Sequence, residues 1–129
     1  MDPRELLATF SGRQDEILAG IAELVGIESP TSAPDRVERA IGCLATRLAA
    51  AGCEIETADA EGYVRPVIAR LGRGPRSILV LCHLDTVWPV GEIECRPVKV
   101  AEGRAYGPGI YDMKAGASLS VFALEEIVR

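Results

Sequence analysis

The sequence is poor in several residues that mark common classes of protein. Among 129 residues there is one histidine, and aromatic residues make up only 5%. Apolar residues never run together for the roughly eighteen positions that a membrane-spanning helix needs. The N-terminal stretch, MDPRELLATFSGRQDE, is charged throughout and lacks the apolar core of a signal peptide. We therefore expect no membrane partner and a cytoplasmic location.

Paired cysteines are also missing. The four cysteines are widely spaced, with no Cys-x-x-Cys pair, at Cys43, Cys53, Cys82 and Cys95. Zinc sites built from four cysteines usually contain such pairs, so this type of site is not expected. In a reducing compartment these residues are predicted to be small, mostly buried thiols.

The balance of charge excludes another class. The chain has 14 basic and 19 acidic residues, for a net charge of −5. Such a chain cannot neutralise a phosphate backbone, so nucleic acid is not an expected partner. A composition of 48% hydrophobic and 26% charged residues is that of an ordinary globular domain.

The spacing of apolar residues predicts an α/β layout. The first helix is expected to begin at Asp2-Pro3, and a second helix should run from about Pro34 to a stop at Gly52. A third is predicted from about Lys114, apolar on nearly all sides and therefore buried in a larger body. The inward face of the first helix is predicted from residues three or four apart, namely Ile17, Ile21, Leu24 and Val25.

Between these helices the pattern is typical of strands. Residues 53–58 alternate, residues 64–71 form a second candidate, and residues 98–106 predict a short hairpin. The run Ser77–Cys82 (SILVLC) is apolar throughout, which favours a central strand covered on both faces. It leads directly into His83, so any chemistry is expected at the end of that strand.

His83 is the only histidine, and a lone histidine is more often structural than a ligand. Asp85 changes that balance, because residues two apart in a strand point to the same side. A carboxylate that accepts from the second ring nitrogen fixes the tautomer of a metal-bound histidine. Even so, His-x-Asp alone is a weak signal.

A second candidate lies in the segment Tyr106–Gly116 (YGPGIYDMKAG). Its glycines allow unusual backbone torsions around Asp112, which comes just before the last helix. From the residues alone, two interpretations of Asp112 stand about even: a cap for that helix, or a metal ligand.

Taken together, these segments are far more specific. An apolar strand ending in His83-Leu84-Asp85-Thr86-Val87, then Arg96-Pro97, then YGPGIYDMKAG, resembles the zinc-dependent metallopeptidase family of glutamate carboxypeptidases, aminoacylases, acetylornithine deacetylase and succinyl-diaminopimelate desuccinylase. The likeness is greatest to the glutamate carboxypeptidase branch and covers nearly the whole chain. It implies the N-terminal part of an α/β catalytic domain, with a mixed sheet flanked by helices and without the family's lid or dimerisation domain.

The resemblance also implies roles for particular residues. His83 would bind one zinc, Asp112 would bridge two zincs, and Asp85 would act in catalysis by orienting His83. A cis peptide bond is implied after Asp112, whereas Lys114 is expected to be a solvated or structural charge. The substrate would be a small peptide or N-acyl amino acid, cleaved at the amide next to a C-terminal amino acid.

Other parts of the family's site are not found in the sequence. The family also uses a Glu-Glu pair, a further acidic ligand and a second histidine, and this chain has only one histidine. Glu125-Glu126 lies within a helical run and is expected to be a solvated helix face. We therefore expect an N-terminal fragment that does not hydrolyse amides by itself.

Two other interpretations remain open. The chain could be a non-catalytic binding or assembly module that associates with a second copy through its apolar last helix. It could instead hold a single zinc completed by a cysteine, although Cys82 should point to the opposite side from His83.

Overall fold

The computed structural model describes residues 2–128. Three helices come first, followed by a hairpin, a short helix, a second hairpin and a last helix. In chain order they are α1 Pro3–Gly12, α2 Gln14–Gly26, α3 Pro34–Ala50, β1 Glu54–Thr57, β2 Val67–Arg70, α4 Glu92–Cys95, β3 Lys99–Ala101, β4 Arg104–Tyr106 and α5 Ala115–Ile127.

The predicted first helix is two helices. Asp2 caps α1 by accepting a hydrogen bond from the Arg4 amide, as its position before Pro3 indicates. Helical geometry then breaks at Arg13, whose φ and ψ are −104° and 12°. The guanidinium of Arg13 binds Glu16 and also Glu125 of α5, so a tertiary contact accompanies the break.

The core forms where α2, α3 and α5 meet. Leu24 of α2, Ala40 of α3 and Ala117 of α5 are buried together, and Leu84 joins them from the segment before the site. Ile21 and Val25 are also buried, as their helical spacing predicts. Gly52 follows α3 with φ +92°, a conformation that suits glycine at the end of a helix.

The hairpin predicted at residues 98–106 is present, the two candidate strands before it also pair as a hairpin, and the α/β class is confirmed. Strands β1 and β2 pair antiparallel with Glu54 opposite Arg70, and β3 and β4 pair with Lys99 opposite Tyr106. Within residues 2–128 they make two separate two-stranded sheets rather than one mixed sheet. The only parallel pairing in that range is a single bridge between Pro30 and Thr86.

The central strand predicted at residues 77–82 is not formed. In the described chain this segment makes no backbone hydrogen bond to a neighbour, and it belongs to no sheet. Its apolar side chains are open to solvent, with exposed fractions of 93% for Ile78, 79% for Leu79 and 77% for Leu81. A strand exists only through pairing, and within residues 2–128 neither hairpin pairs with this segment.

The last helix is covered on one side only. Ala117, Val121 and Phe122 of α5 are buried against α2 and α3, whereas Leu119 and Ile127 are exposed. Within the described residues, the predicted burial of this helix is therefore found on the side that faces α2 and α3 and not on the other. Among those residues, no helix is both long and apolar enough to cross a membrane.

Candidate metal centre

A short clamp between two segments positions His83 and Asp85. The amide of Thr86 donates to the carbonyl of Ser29 (2.8 Å), and the Thr31 amide donates to the carbonyl of Thr86 (3.0 Å). The buried hydroxyl of Ser29 donates to the Leu84 carbonyl at 2.6 Å. Residues 29–31 therefore run alongside residues 84–86 and fix the direction in which Asp85 points.

Asp112 lies in the turn Ile110–Lys114, directly before α5. The turn is entered through Gly109, whose φ is +70°. The backbone of Asp112 is extended, with φ −125° and ψ 95°, and the Asp112–Met113 peptide is cis, as the resemblance implies. Lys114 occupies the cap position of α5, and within residues 2–128 no side chain caps that helix. Asp112 is therefore not the helix cap that one interpretation predicted.

The structure brings the three predicted site residues together. Nε2 of His83 lies 2.8 Å from Oδ1 of Asp112. The other ring nitrogen, Nδ1, lies 3.1 Å from the backbone oxygen of Asp85 and 3.3 Å from its carboxylate Oδ1. One imidazole thus stands between two carboxylates, with Asp112 on one side and Asp85 on the other.

This arrangement favours the protonated ring. The hydrogen bond to Asp112 raises the pKa of His83, and partial burial opposes that rise. Asp85 acts in the same direction as Asp112, through its backbone oxygen and its charge.

The three residues face an open cleft of about 320 Å³. Its walls come from the 29–31 clamp, the segment after Asp85 and the turn that carries Asp112. The lining includes Thr31, His83, Asp85, Trp88, Tyr111 and Asp112. Trp88 is packed beneath the Arg96 guanidinium, which lies 4.7 Å from the ring centre.

Lys114 is not the solvated charge that was one expectation for it. Its side chain is 1% exposed, and its Nζ donates to the carbonyl of Ile27. Burial lowers the pKa of Lys114 to about 8, with the nearby Glu28 carboxylate acting against that change. The second expectation, a structural charge, fits this buried position.

Glu28, which sequence analysis did not single out, holds another wall of the site. Its carboxylate accepts from the amides of Gly91 (2.8 Å) and Ile93 (3.0 Å) at the start of α4. These backbone hydrogen bonds lower the pKa of Glu28. The segment that carries Trp88 is thereby tied to the loop after α2.

The prediction that Glu125-Glu126 forms a solvated helix face is wrong. Glu125 lies 2.5 Å from Arg13, whose side chain is 11% exposed, and Glu126 lies 3.8 Å from the same guanidinium. Together these residues tie α5 to the junction of α1 and α2. They are charges within a helix interface, and neither lines the cleft.

The cysteines also differ in part from expectation. All four are free in the described chain, and Cys53 is buried, but Cys82 and Cys95 are exposed. Cys82 lines an apolar groove beside α3 rather than the cleft. Within residues 2–128, this geometry gives no support to a zinc site completed by cysteine.

The donors at the cleft fit zinc in type but not in number. An imidazole nitrogen and a carboxylate are common zinc ligands, and Asp85 stands where a residue that orients the imidazole would stand. Catalytic zinc sites usually have three protein ligands. Among the described residues, no three side chains of His, Cys, Asp or Glu are placed so that they could hold one metal ion together. The metal roles of His83 and Asp112 therefore stay a prediction.

One family of known proteins matches the segment that carries this site. The sequence pattern of Peptidase family M20/M25/M40 matches residues 79–129, which include His83, Asp85 and Asp112. The family resemblance predicted from the sequence is thereby confirmed.

Two curated relatives extend the likeness towards the N-terminus. Carboxypeptidase G2 of Pseudomonas sp. (strain RS-16) is 28% identical over 123 residues, which are 93% of this chain and 30% of that protein. Succinyl-diaminopimelate desuccinylase of Parvibaculum lavamentivorans (strain DS-1 / DSM 13023 / NCIMB 13966) is 37% identical over 112 residues, 80% of this chain and 28% of that protein. The chain thus spans about three tenths of the length of these relatives.

Proposed function

We propose that this chain supplies the first part of the active site of a two-zinc metallopeptidase or deacylase. The substrate would be a small peptide or N-acyl amino acid, cut at the amide next to a C-terminal amino acid. The observation that carries the proposal is the convergence of His83 Nε2 and Asp112 Oδ1, 2.8 Å apart, at an open cleft. The names of the two relatives, a carboxypeptidase and a desuccinylase, suit amide substrates of this kind.

In this proposal each residue has a defined task. His83 would hold one metal through Nε2, and Asp112 would bridge two metals through its carboxylate oxygens. Asp85 faces Nδ1 of His83 and would keep Nε2 free to bind. When bound, zinc supplies Lewis-acid polarisation of a carbonyl and acidifies water at neutral pH.

We further propose that the 129-residue chain does not hydrolyse amides by itself. Two ligands fall below the usual three, and the only histidine is already in use. The charges of Glu125 and Glu126 face Arg13 and cannot serve as the proton-transferring pair of the family.

Metal titration of the full chain tests the site. Calorimetry with Zn²⁺ should detect binding that is lost in both His83→Ala and Asp112→Ala. Glu102→Ala is a suitable control, because this exposed turn residue does not line the cleft. Zinc binding that is unchanged in both site variants would contradict the proposed metal role.

An amide-hydrolysis assay tests the proposed inactivity. N-acyl amino acids with a free carboxylate should not be cleaved by the zinc-loaded chain above the rate with zinc alone. Metal-dependent cleavage that disappears in Asp112→Ala would overturn this part of the proposal. The coding DNA past codon 129 is a separate test, since the proposal requires a Glu-Glu pair and a late histidine in the same frame.

One observation favours a second candidate, a role in assembly. Ile78, Leu79, Val80 and Leu81 expose 60% or more of their surface, and Leu119 and Ile127 of α5 are exposed as well. Apolar surface of this kind drives association. Sedimentation velocity over a range of concentrations should then show dimers that Leu79→Glu and Leu81→Glu weaken, and a monomer at all concentrations would rule this role out.

A further inference from the structure

The carboxylate of Asp85 is itself held in place. Its Oδ1 faces Nδ1 of His83 at 3.3 Å, whereas its Oδ2 accepts a hydrogen bond from the Thr31 hydroxyl at 2.7 Å. The two oxygens of one carboxylate thus have different partners. Rotation of the carboxylate away from His83 would break the bond to Thr31.

Thr31 is well anchored for such a task. Its amide donates to the carbonyl of Thr86 (3.0 Å), and its hydroxyl also lies 3.3 Å from that oxygen. On the other side, its carbonyl accepts from the hydroxyl of Tyr63 at 2.7 Å. Backbone and side chain are therefore both fixed beside Asp85, although Thr31 is exposed to solvent.

We propose that Thr31 is a positioning residue of the metal centre, acting on His83 through the carboxylate of Asp85. This inference rests on the proposed function for its metal role, but the geometry of the three side chains stands independently of any metal. A hydroxyl that donates to one carboxylate oxygen leaves the other directed at Nδ1. In the neutral ring a proton on Nδ1 is thereby favoured, which leaves the lone pair on Nε2, the nitrogen that faces Asp112.

Because His83 is the only histidine, its imidazole nitrogens can be observed without overlap. In chain labelled with ¹⁵N-histidine, at a pH where the ring is neutral, the nitrogen shifts report the fraction of each tautomer. Asp112 competes as an acceptor at Nε2. The ratio of the two tautomers should therefore depend on how firmly Thr31 holds the Asp85 carboxylate. Asp85→Ala leaves only the backbone oxygen facing Nδ1 and defines the shift expected when the carboxylate is lost.

Thr31→Val removes the hydroxyl at nearly constant volume, and Thr31→Ser retains it. We expect Thr31→Val to move the spectrum in the direction of Asp85→Ala, and Thr31→Ser to remain close to the unaltered chain. In the Asp85→Ala background, Thr31→Val should have no additional effect, because the group through which it acts is gone. A spectrum unaffected by Thr31→Val, or a shift that persists without the Asp85 carboxylate, would overturn the inference.

Zinc affinity provides a second measurement. Loss of a partner that orients a ligand typically weakens metal binding by about 10- to 100-fold, so we expect a change near tenfold in Thr31→Val and none in Thr31→Ser. If the chain binds no zinc, the proposed function fails while the tautomer experiment still decides the role of Thr31. The two failures are therefore distinguishable.

Discussion

His83 and Asp112 are 29 residues apart in the sequence, yet Nε2 of one lies 2.8 Å from Oδ1 of the other. This contact raises the pKa of His83, so Asp112→Asn should lower that pKa towards its ordinary value. Because the pKa of His83 is higher in the folded chain than in the unfolded one, protonation of His83 stabilises the fold. This stabilisation is fully present below about pH 6.5 and is lost as pH rises through the folded pKa. Titration of the single histidine by NMR checks the shift. An unchanged pKa in Asp112→Asn would contradict the contact.

Lys114 should make stability depend on pH in the opposite direction. Its pKa of about 8 in the folded chain lies below the 10.5 of an ordinary lysine. Between these values the unfolded chain binds more protons, so the free energy of unfolding rises with pH, by an amount on the order of 3 kcal/mol. Urea unfolding of the unaltered chain and of Lys114→Met, at several pH values from 7 upward (roughly to 10.5), measures this. If the difference in the free energy of unfolding between the two proteins is the same at every pH, Lys114 does not titrate as described.

Gly109 should tolerate no side chain. Its φ is +70°, and a Cβ atom there would lie 2.5 Å from Cγ2 of Thr86. Gly109→Ala should therefore cost about 1–3 kcal/mol of stability and displace the turn that carries Asp112. Gly42→Ala is the matched control, since nothing lies within 4 Å of a Cβ added at this position in α3. The control should gain about 0.5–1 kcal/mol through helix propensity. Fluorescence of the single tryptophan during urea unfolding measures the stability of both variants. Equal stability of the two variants would contradict the predicted clash at Gly109.

Most of the helices, the hairpin at residues 98–106 and the two strands before it could be predicted from the sequence because their patterns are local. The apolar spacing in α2 and α3 and the alternation in β1 were sufficient. The prediction failed at residues 77–82, where apolar β-type residues show only that a segment needs cover. They do not show whether a pairing strand is present. The helix α4 was also missed, since its first amides are bound by Glu28, which is 63 residues away.

The site could be predicted only in part. The motif around His83, Asp85 and Asp112 was recognisable through its resemblance to a family, whereas residue chemistry left Asp112 undecided between cap and ligand. Thr31 was not found, because it lies in a turn-rich loop and contacts Asp85 across 54 residues. The buried position of Lys114 was equally invisible, since it depends on the Ile27 carbonyl 87 residues away. Contacts between distant segments leave no periodic signal in a single sequence.

The ion pair of Glu125 with Arg13 separates a structural role from a catalytic one. The Arg13 side chain is 11% exposed and that of Glu125 is 26% exposed, so Glu125→Ala leaves a poorly hydrated guanidinium short of a partner. We expect a loss of about 1–3 kcal/mol in the free energy of unfolding. Glu56→Ala is the control, because its pair with Arg70 is more than half exposed on both sides and should contribute less than about 1 kcal/mol. Zinc affinity should be the same in Glu125→Ala as in the unaltered chain. A variant that keeps its stability but loses zinc would instead assign Glu125 to the metal centre.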